Sequence, residues 1–129
     1  MKQSPLANAE LAVMDLLWEE DQLTARQIRE RLYPNEDKAQ HGTVQRLLQR
    51  LEDKGYVQRD RDQSVHFFSA AVSRQAYAGM QMESLAEKLT SGSLAPLITH
   101  LVEARKISRD EIARIRAILE KHEAEGDPS

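Results

Sequence analysis

The fold is decided by residues 43–57, which read TVQRLLQRLEDKGYV. Four apolar residues in this stretch recur at i, i+3, i+4 and i+7, the spacing of one buried helix face. They are Val44, Leu47, Leu48 and Leu51. Gly55 stands where helices commonly end in a left-handed residue. The pattern predicts a helix over residues 43–54 with a polar opposite face.

A β-hairpin is predicted directly after this helix. Residues 56–60 and 64–70 are short β-prone segments, and the polar residues 61–63 between them predict the turn. The expected inward-facing positions are Val57, Val65 and Phe67.

Two helices are predicted before residue 43. An apolar stripe at helical spacing indicates a first helix over residues 9–20. Thr24 and Gln27 have the spacing of a capping box at the start of a second helix over residues 25–33, which Pro34 ends. Three helices followed by a hairpin is the order of a winged helix-turn-helix.

The rest of the chain reads as helical. Helices are predicted over residues 74–90 and 94–105, and a capping box of Ser108 and Glu111 starts a last one. The aliphatic stripes of these helices form more apolar surface than one small domain with few aromatics can bury. We therefore expect two copies of the chain to pair through them. A helical appendage packed on its own winged domain is the alternative. The expected interface residues are Tyr77, Leu85, Leu94, Leu97, Ile98, Leu101, Ile112, Ile115 and Leu119.

The predicted fold class is therefore mainly α with a small β-hairpin. A winged helix-turn-helix DNA-binding domain is expected over residues 1–71, and a helical dimerisation domain over residues 72–129.

Composition excludes several functional classes. The chain has no cysteine, and its histidines lack metal-ligand spacing, so no metal site is expected. No catalytic or cofactor-binding motif occurs, which predicts a protein that is not an enzyme and needs no cofactor. No run of about 18 apolar residues occurs, so we expect a cytoplasmic protein that does not bind a lipid membrane. The net charge of -3 means that any DNA binding must rest on a local patch.

Such a patch is predicted on the polar face of helix 43–54. Arginine contacts guanine and glutamine contacts adenine through two hydrogen bonds in the major groove, and this face carries two of each. Residues 38–51 hold Lys38 and two arginines but no carboxylate. The hairpin arginines are expected to contact phosphate. The predicted DNA-binding residues are His41, Gly42, Thr43, Gln45, Arg46, Gln49, Arg50, Arg59 and Arg61.

Two long motifs resemble the penicillinase-repressor family of the BlaI/MecI type. The first is AELAVMDLLWEEDQLTARQI (residues 9–28) followed by residues 43–57, and the second is GSLAPLITHLVE (residues 92–103). The resemblance covers residues 6–120. It matches Thr43, Gln45 and Arg50 to positions typical of the family's recognition helix, whereas Gly42 and Arg46 are less typical.

The resemblance implies a homodimeric transcriptional repressor of the antibiotic-resistance type that binds double-stranded DNA at a palindromic operator. In the family, a membrane-embedded sensor protease leads to cleavage of the C-terminal helices. Here His100–Leu101 stands in place of the family's Asn–Phe bond, so cleavage at this position stays open. The absence of cysteine excludes the family's copper-responsive motif.

Two other functions remain as alternatives. A dimeric winged-helix module that binds proteins rather than DNA would suit the acidic net charge. A ligand-sensing regulator would need an apolar pocket between helices, and no polar cluster marks one.

Overall fold

The computed structural model describes residues 5–35 and 40–126, which form two compact units, Met1–Met82 and Glu83–Ser129. The first unit has the winged helix-turn-helix order that the sequence predicts, so the expected fold class is confirmed. Its elements are α1 (Asn8–Glu19), α2 (Ala25–Leu32), α3 (His41–Asp53), β1 (Val57–Asp60), β2 (Phe67–Ala70) and the start of α4 (Arg74–Thr90).

The helix ends follow the predicted signals. Thr24 Oγ1 accepts from the Gln27 backbone N–H at 3.1 Å, and Gln27 Oε1 accepts from the Thr24 N–H at 2.9 Å. Gly55 has a φ of 86°, the left-handed conformation that lets the chain leave α3 and enter β1. The third helix begins at His41, two residues earlier than predicted.

One hydrophobic core joins α1, α2, α3 and the hairpin. Many of its members belong to the predicted apolar stripes, and the burial of the core supplies the main stabilising free energy. The largest fully buried side chains are Tyr56, Met14, Ile28, Leu48, Leu51, Val13 and Val44. The core therefore holds α3 by its leucine face.

The side chains of the hairpin that point toward the core are not all the predicted ones. The strands β1 and β2 pair antiparallel, and Leu23 forms a bridge to Phe68 through two backbone hydrogen bonds of 3.0 and 2.8 Å. Phe68 is 4% exposed, whereas Val65 is 54% exposed and precedes β2. The prediction that Val65 faces inward is wrong, because Leu23 pairs with Phe68 and thereby sets which face of β2 is buried. Val57 is buried as expected. Phe67 is half-buried on the opposite face of β2 from Phe68, so its predicted inward position is also wrong.

The first unit extends beyond the predicted boundary at residue 71. Trp18 Nε1 donates to the Val72 carbonyl at 2.8 Å, and Tyr77 Oη accepts from the Leu6 N–H at 2.9 Å. The Tyr77 ring lies 6.0 Å from the Trp18 ring and 5.7 Å from the Tyr56 ring. These contacts attach the first turns of α4 to the winged core. They give Tyr77, predicted as a dimer contact, a place in the first unit.

The second unit contains the end of α4, then α5 (Ala95–Glu103) and α6 (Arg109–Ala124). Ser108 and Glu111 form the predicted capping box. Among its described residues, 83–126, only Ala86 is buried. No helix in the described ranges is long and apolar enough to cross a membrane.

Candidate nucleic-acid interface

The polar face of α3 is open. Because the leucines occupy the opposite side, the helical repeat turns the predicted contact residues outward. His41 and Thr43 are half-buried at the start of α3. The exposed members of the predicted set on this helix are Gly42, Gln45, Arg46, Gln49 and Arg50. Lys38, also assigned to the patch, lies outside the described residues.

An ion pair holds the C-terminal end of α3 against α1. Lys54 Nζ lies 3.1 Å from both carboxylate oxygens of Glu10, which is 2% exposed and also accepts from the Ala7 N–H at 3.0 Å. Burial alone raises the pKa of Glu10. The Ala7 hydrogen bond, Lys54 and the charge of Arg50 outweigh burial, so the pKa is lowered overall. Glu10 is therefore ionised and positions the candidate recognition helix.

The hairpin of β1 and β2, called the wing below, carries two arginines, Arg59 and Arg61, with different surroundings. Arg59 Nη2 lies 3.0 Å from Glu52 Oε1, its guanidinium carbon lies 4.8 Å from the centre of the Phe68 ring, and its side chain is 18% exposed. Arg61 Nη2 lies 3.3 Å from Glu52 Oε2, and its side chain is 59% exposed. Glu52 thus pairs with both arginines, of which Arg59 is enclosed and Arg61 is exposed.

The strand register explains why Arg59 is enclosed. Side chains alternate along a strand, so Arg59 shares a face with the buried Val57, and its cross-strand partner is Phe68. Both arginines of the hairpin are predicted from the sequence to contact phosphate, and their pairing with Glu52 appears only in the structure. Strand alternation from Val57 was the available signal for the inward position of Arg59.

Gln49 is held within this surface. Its Nε2 donates to Asp53 Oδ1 at 2.9 Å, and its Oε1 accepts from Arg59 Nη2 at 3.4 Å. Asp53 is one turn further along α3, so this bond follows helix geometry. The wing thereby helps to orient a side chain of the candidate contact face.

A groove of about 490 Å³ runs beside α3. It lies between the start of α2, the polar face of α3 and the hairpin, and its lining includes Arg26, His41, Gln45, Gln49 and His66. Within residues 5–35 and 40–126, no group of three or more His, Cys, Asp or Glu residues could hold a metal ion.

The second unit leaves most of its predicted interface residues open. Leu97 and Ile112 are half-buried. The exposed members of the predicted set are Leu85, Leu94, Ile98, Leu101, Ile115 and Leu119. His100 and Leu101, the predicted cleavage region, are both exposed in the middle of α5.

An apolar hollow of about 230 Å³ lies between α5 and α6. Its lining is aliphatic apart from Arg116, so it carries no set of polar groups to orient a small ligand. The lining residues are Ile98, Val102, Ile107, Ile112, Ile115, Arg116 and Leu119.

These features define a winged-helix protein that exposes the polar face of its third helix beside an arginine-bearing hairpin. The model of the penicillinase repressor family matches residues 6–121, and the chain belongs to that family. The resemblance seen in the motifs is confirmed. The family consists of DNA-binding transcriptional repressors rather than enzymes, as the sequence predicted.

Two curated relatives span nearly the whole chain. "Transcriptional regulator BlaI" of Mycobacterium tuberculosis is 35% identical over 125 residues, covering 95% of this chain and 88% of that protein. "Methicillin resistance regulatory protein MecI" of Staphylococcus aureus is 27% identical over 120 residues, covering 93% and 97%.

One solved structure supports the fold of the first unit. It is the solution structure of the DNA binding domain of the repressor BlaI, with a TM-score of 0.50 and 24% identity. The match covers 60% of this chain and 94% of that domain.

Proposed function

We propose that this chain is a cytoplasmic, homodimeric repressor that binds a palindromic operator in double-stranded DNA through α3. The observation that carries the proposal is the open face of α3, which presents Gln45, Arg46 and Arg50 while the leucines hold the helix on the core. An α-helix fits the major groove, where these side-chain types distinguish base pairs.

In this proposal α3 contacts base edges and the hairpin contacts phosphate. Gln45 and Arg50 contact base edges, because both project from the exposed side of α3. Arg61 contacts phosphate, because it follows β1 and its side chain is mostly exposed. Arg59 is left out of the contact set, since Glu52 and Phe68 enclose it.

The test of base recognition is Arg50→Ala in gel-shift titrations on DNA from upstream of the protein's own gene. Loss of one bidentate arginine–guanine contact weakens binding about ten- to a hundredfold. Arg114→Ala, an exposed arginine of α6, is the matched control and leaves binding unchanged. Equal binding by Arg50→Ala and wild type would remove Arg50 from recognition. Equal affinity of the wild type for operator and random duplex would favour the protein-binding alternative.

Dimerisation rests on the second unit. This unit has Ala86 as its one buried residue among residues 83–126, and its exposed aliphatic residues recur on α5 and α6. Burying one such side chain contributes about 1.5–3 kcal/mol, so a second copy would supply the missing core. The two-fold symmetry of the dimer would match a palindrome with half-sites about 34 Å, or a multiple, apart.

The test of dimerisation is Leu101→Glu in sedimentation experiments. A carboxylate in the apolar stripe of α5 is expected to shift the chain to monomers and to abolish operator binding at the same time. His100→Glu adds the same charge at the neighbouring exposed position of α5 and is the control. A Leu101→Glu chain that remains dimeric would exclude α5 from the interface.

Relief of repression by proteolysis in α5, triggered by a membrane-embedded sensor protease, completes the proposal. His100–Leu101 lies in a helix of nine residues, and a protease cleaves a helix only when it opens locally. A segment with few buried contacts opens at low cost. Because Leu101 is also a proposed dimer residue, the cut would divide the interface.

Co-expression with such a protease and mass spectrometry of the fragments tests the cleavage position. Pieces of residues 1–100 and 101–129 are expected, and a change of His100–Leu101 to Pro–Pro should prevent the cut. Fragments that end elsewhere would overturn this position without affecting DNA binding.

A further inference from the structure

Glu52 pairs with two arginines of the hairpin, Arg59 and Arg61. It lies near the end of α3, half-buried between the helix and the wing. Neither the family resemblance nor the predicted contact set gives it a role. Its position raises the question of what a negative charge does beside a surface that binds a polyanion.

We propose that Glu52 divides the wing arginines between two tasks: it holds Arg59 as a permanent attachment of the wing to α3, and it occupies Arg61 until a DNA phosphate displaces it. The inference rests on the proposed DNA binding and names the residue that regulates it.

The geometry around Arg59 supports permanent attachment. Its guanidinium lies over the Phe68 ring, contacts Gln49 and faces Glu52, and its side chain is 18% exposed. Removing this group from its site would break all three contacts. A DNA phosphate would offer one partner in place of these three, so Arg59 remains in its enclosed site when DNA binds.

The geometry around Arg61 supports displacement. Among the described residues, Arg61 contacts Glu52 Oε2 through one hydrogen bond of 3.3 Å, and its side chain is 59% exposed. Exposed ion pairs of this kind contribute little, and a phosphate can replace the carboxylate as a partner. Glu52 keeps its pair with Arg59 when Arg61 leaves, so its charge is not left alone.

The consequence is a limit on sequence-independent affinity. Each duplex that engages Arg61 must first break the Arg61–Glu52 pair. This cost applies equally to operator and random DNA, because phosphate contacts carry no sequence information. Glu52 therefore lowers the affinity for operator and random DNA by the same factor, while base contacts from α3 set the preference for the operator.

The experiment compares full-length wild type, Glu52→Gln, Arg61→Ala and the double variant on operator and random duplexes at several salt concentrations. Glu52→Gln should bind both duplexes about two- to fivefold more tightly, which is the factor expected for the loss of a weak surface ion pair. In the Arg61→Ala background the same substitution should give no gain, because the pair no longer exists. Glu20→Gln, which breaks the exposed Arg31–Glu20 pair, is the control with equal charge change and no Arg61-dependent gain.

Stability measurements separate the two arginines. Arg59→Ala should lower the Tm, whereas Arg61→Ala should leave the Tm at the wild-type value, since the two differ in enclosure. Circular dichroism of each variant checks that it is folded.

Three results would overturn the inference while leaving the proposed function in place. If Glu52→Gln raises the DNA affinity even in the Arg61→Ala background, the cause is a general effect of charge. If Glu52→Gln does not raise the affinity at all, Glu52 does not compete with phosphate for Arg61. Equal Tm losses for both arginine variants would remove the division of tasks. If wild type binds neither duplex, the proposed function fails together with this inference, whereas normal wild-type binding with no Arg61-dependent gain overturns the inference alone.

Discussion

Glu10→Gln tests the ion pair that positions α3. Glu10 is 2% exposed and joins two elements 44 residues apart in sequence, since its carboxylate accepts from both Lys54 and the Ala7 N–H. Glutamine has the same shape and retains an oxygen for Ala7. The substitution therefore removes the charge while keeping the packing and the helix-end hydrogen bond.

The magnitude follows from the partners that remain. A hydrogen bond to a charged group contributes about 1.5–3 kcal/mol, and the glutamine amide would direct donor hydrogens toward the Lys54 ammonium. The Lys54 side chain is 35% exposed, so its ammonium can turn to water and recover part of the loss. We expect the free energy of unfolding at pH 7 to fall by about 2 kcal/mol.

The loss should depend on pH in a defined direction. The folded-state pKa of Glu10 lies below its ordinary value of 4.5. Its stabilising contribution is therefore fully present above pH 4.5 and is lost as the pH falls through the folded-state pKa. The difference between wild type and Glu10→Gln should accordingly shrink toward zero in acid.

Urea unfolding at a fixed chain concentration, at neutral and acidic pH, measures both effects. The control is Asp15→Asn on the same helix, whose pair with Arg74 is 3.6 Å long and half-exposed. Asp15→Asn should lower the free energy of unfolding by less than about 0.5 kcal/mol. Equal unfolding of Glu10→Gln and wild type at pH 7, or a difference that stays constant in acid, would refute the reasoning.

Three further predictions concern the turn and the hairpin. Gly55→Ala should cost about 1–2 kcal/mol in urea unfolding, because φ at this position is 86°; no loss would contradict the left-handed turn. Burial, Tyr77 and Glu10 raise the pKa of Tyr56, so its phenol should ionise later than a free tyrosine in an ultraviolet titration. Because that pKa is raised, this contribution to stability is present below the ordinary value of 10.0 and is lost as the pH rises through the folded-state pKa; a Tyr56→Phe chain with the same titration curve as wild type would count against it. Phe68→Ala should lower the free energy of unfolding by about 3–5 kcal/mol and Val65→Ala by less than about 0.5, and the reverse order would mean that the observed hairpin register is wrong.

The helices of this protein could be predicted from the sequence because their signals are local. The spacing of Val44, Leu47 and Leu48 places the buried face of α3 through the geometry of the helix alone, and that geometry also locates the exposed polar face. The boxes at Thr24–Gln27 and Ser108–Glu111 likewise close within one turn. The family could be recognised for the same reason, since its motifs lie on these helices.

The tertiary structure decided which residues meet across the chain. Phe68 rather than Val65 faces the core because Leu23, far away in sequence, pairs with β2. Arg59 is enclosed because the hairpin places it against Glu52, and periodicity carries no information about pairs between separate elements. Local spacing therefore located the exposed polar face of α3, whereas long-range packing determined which arginine of the hairpin remained exposed.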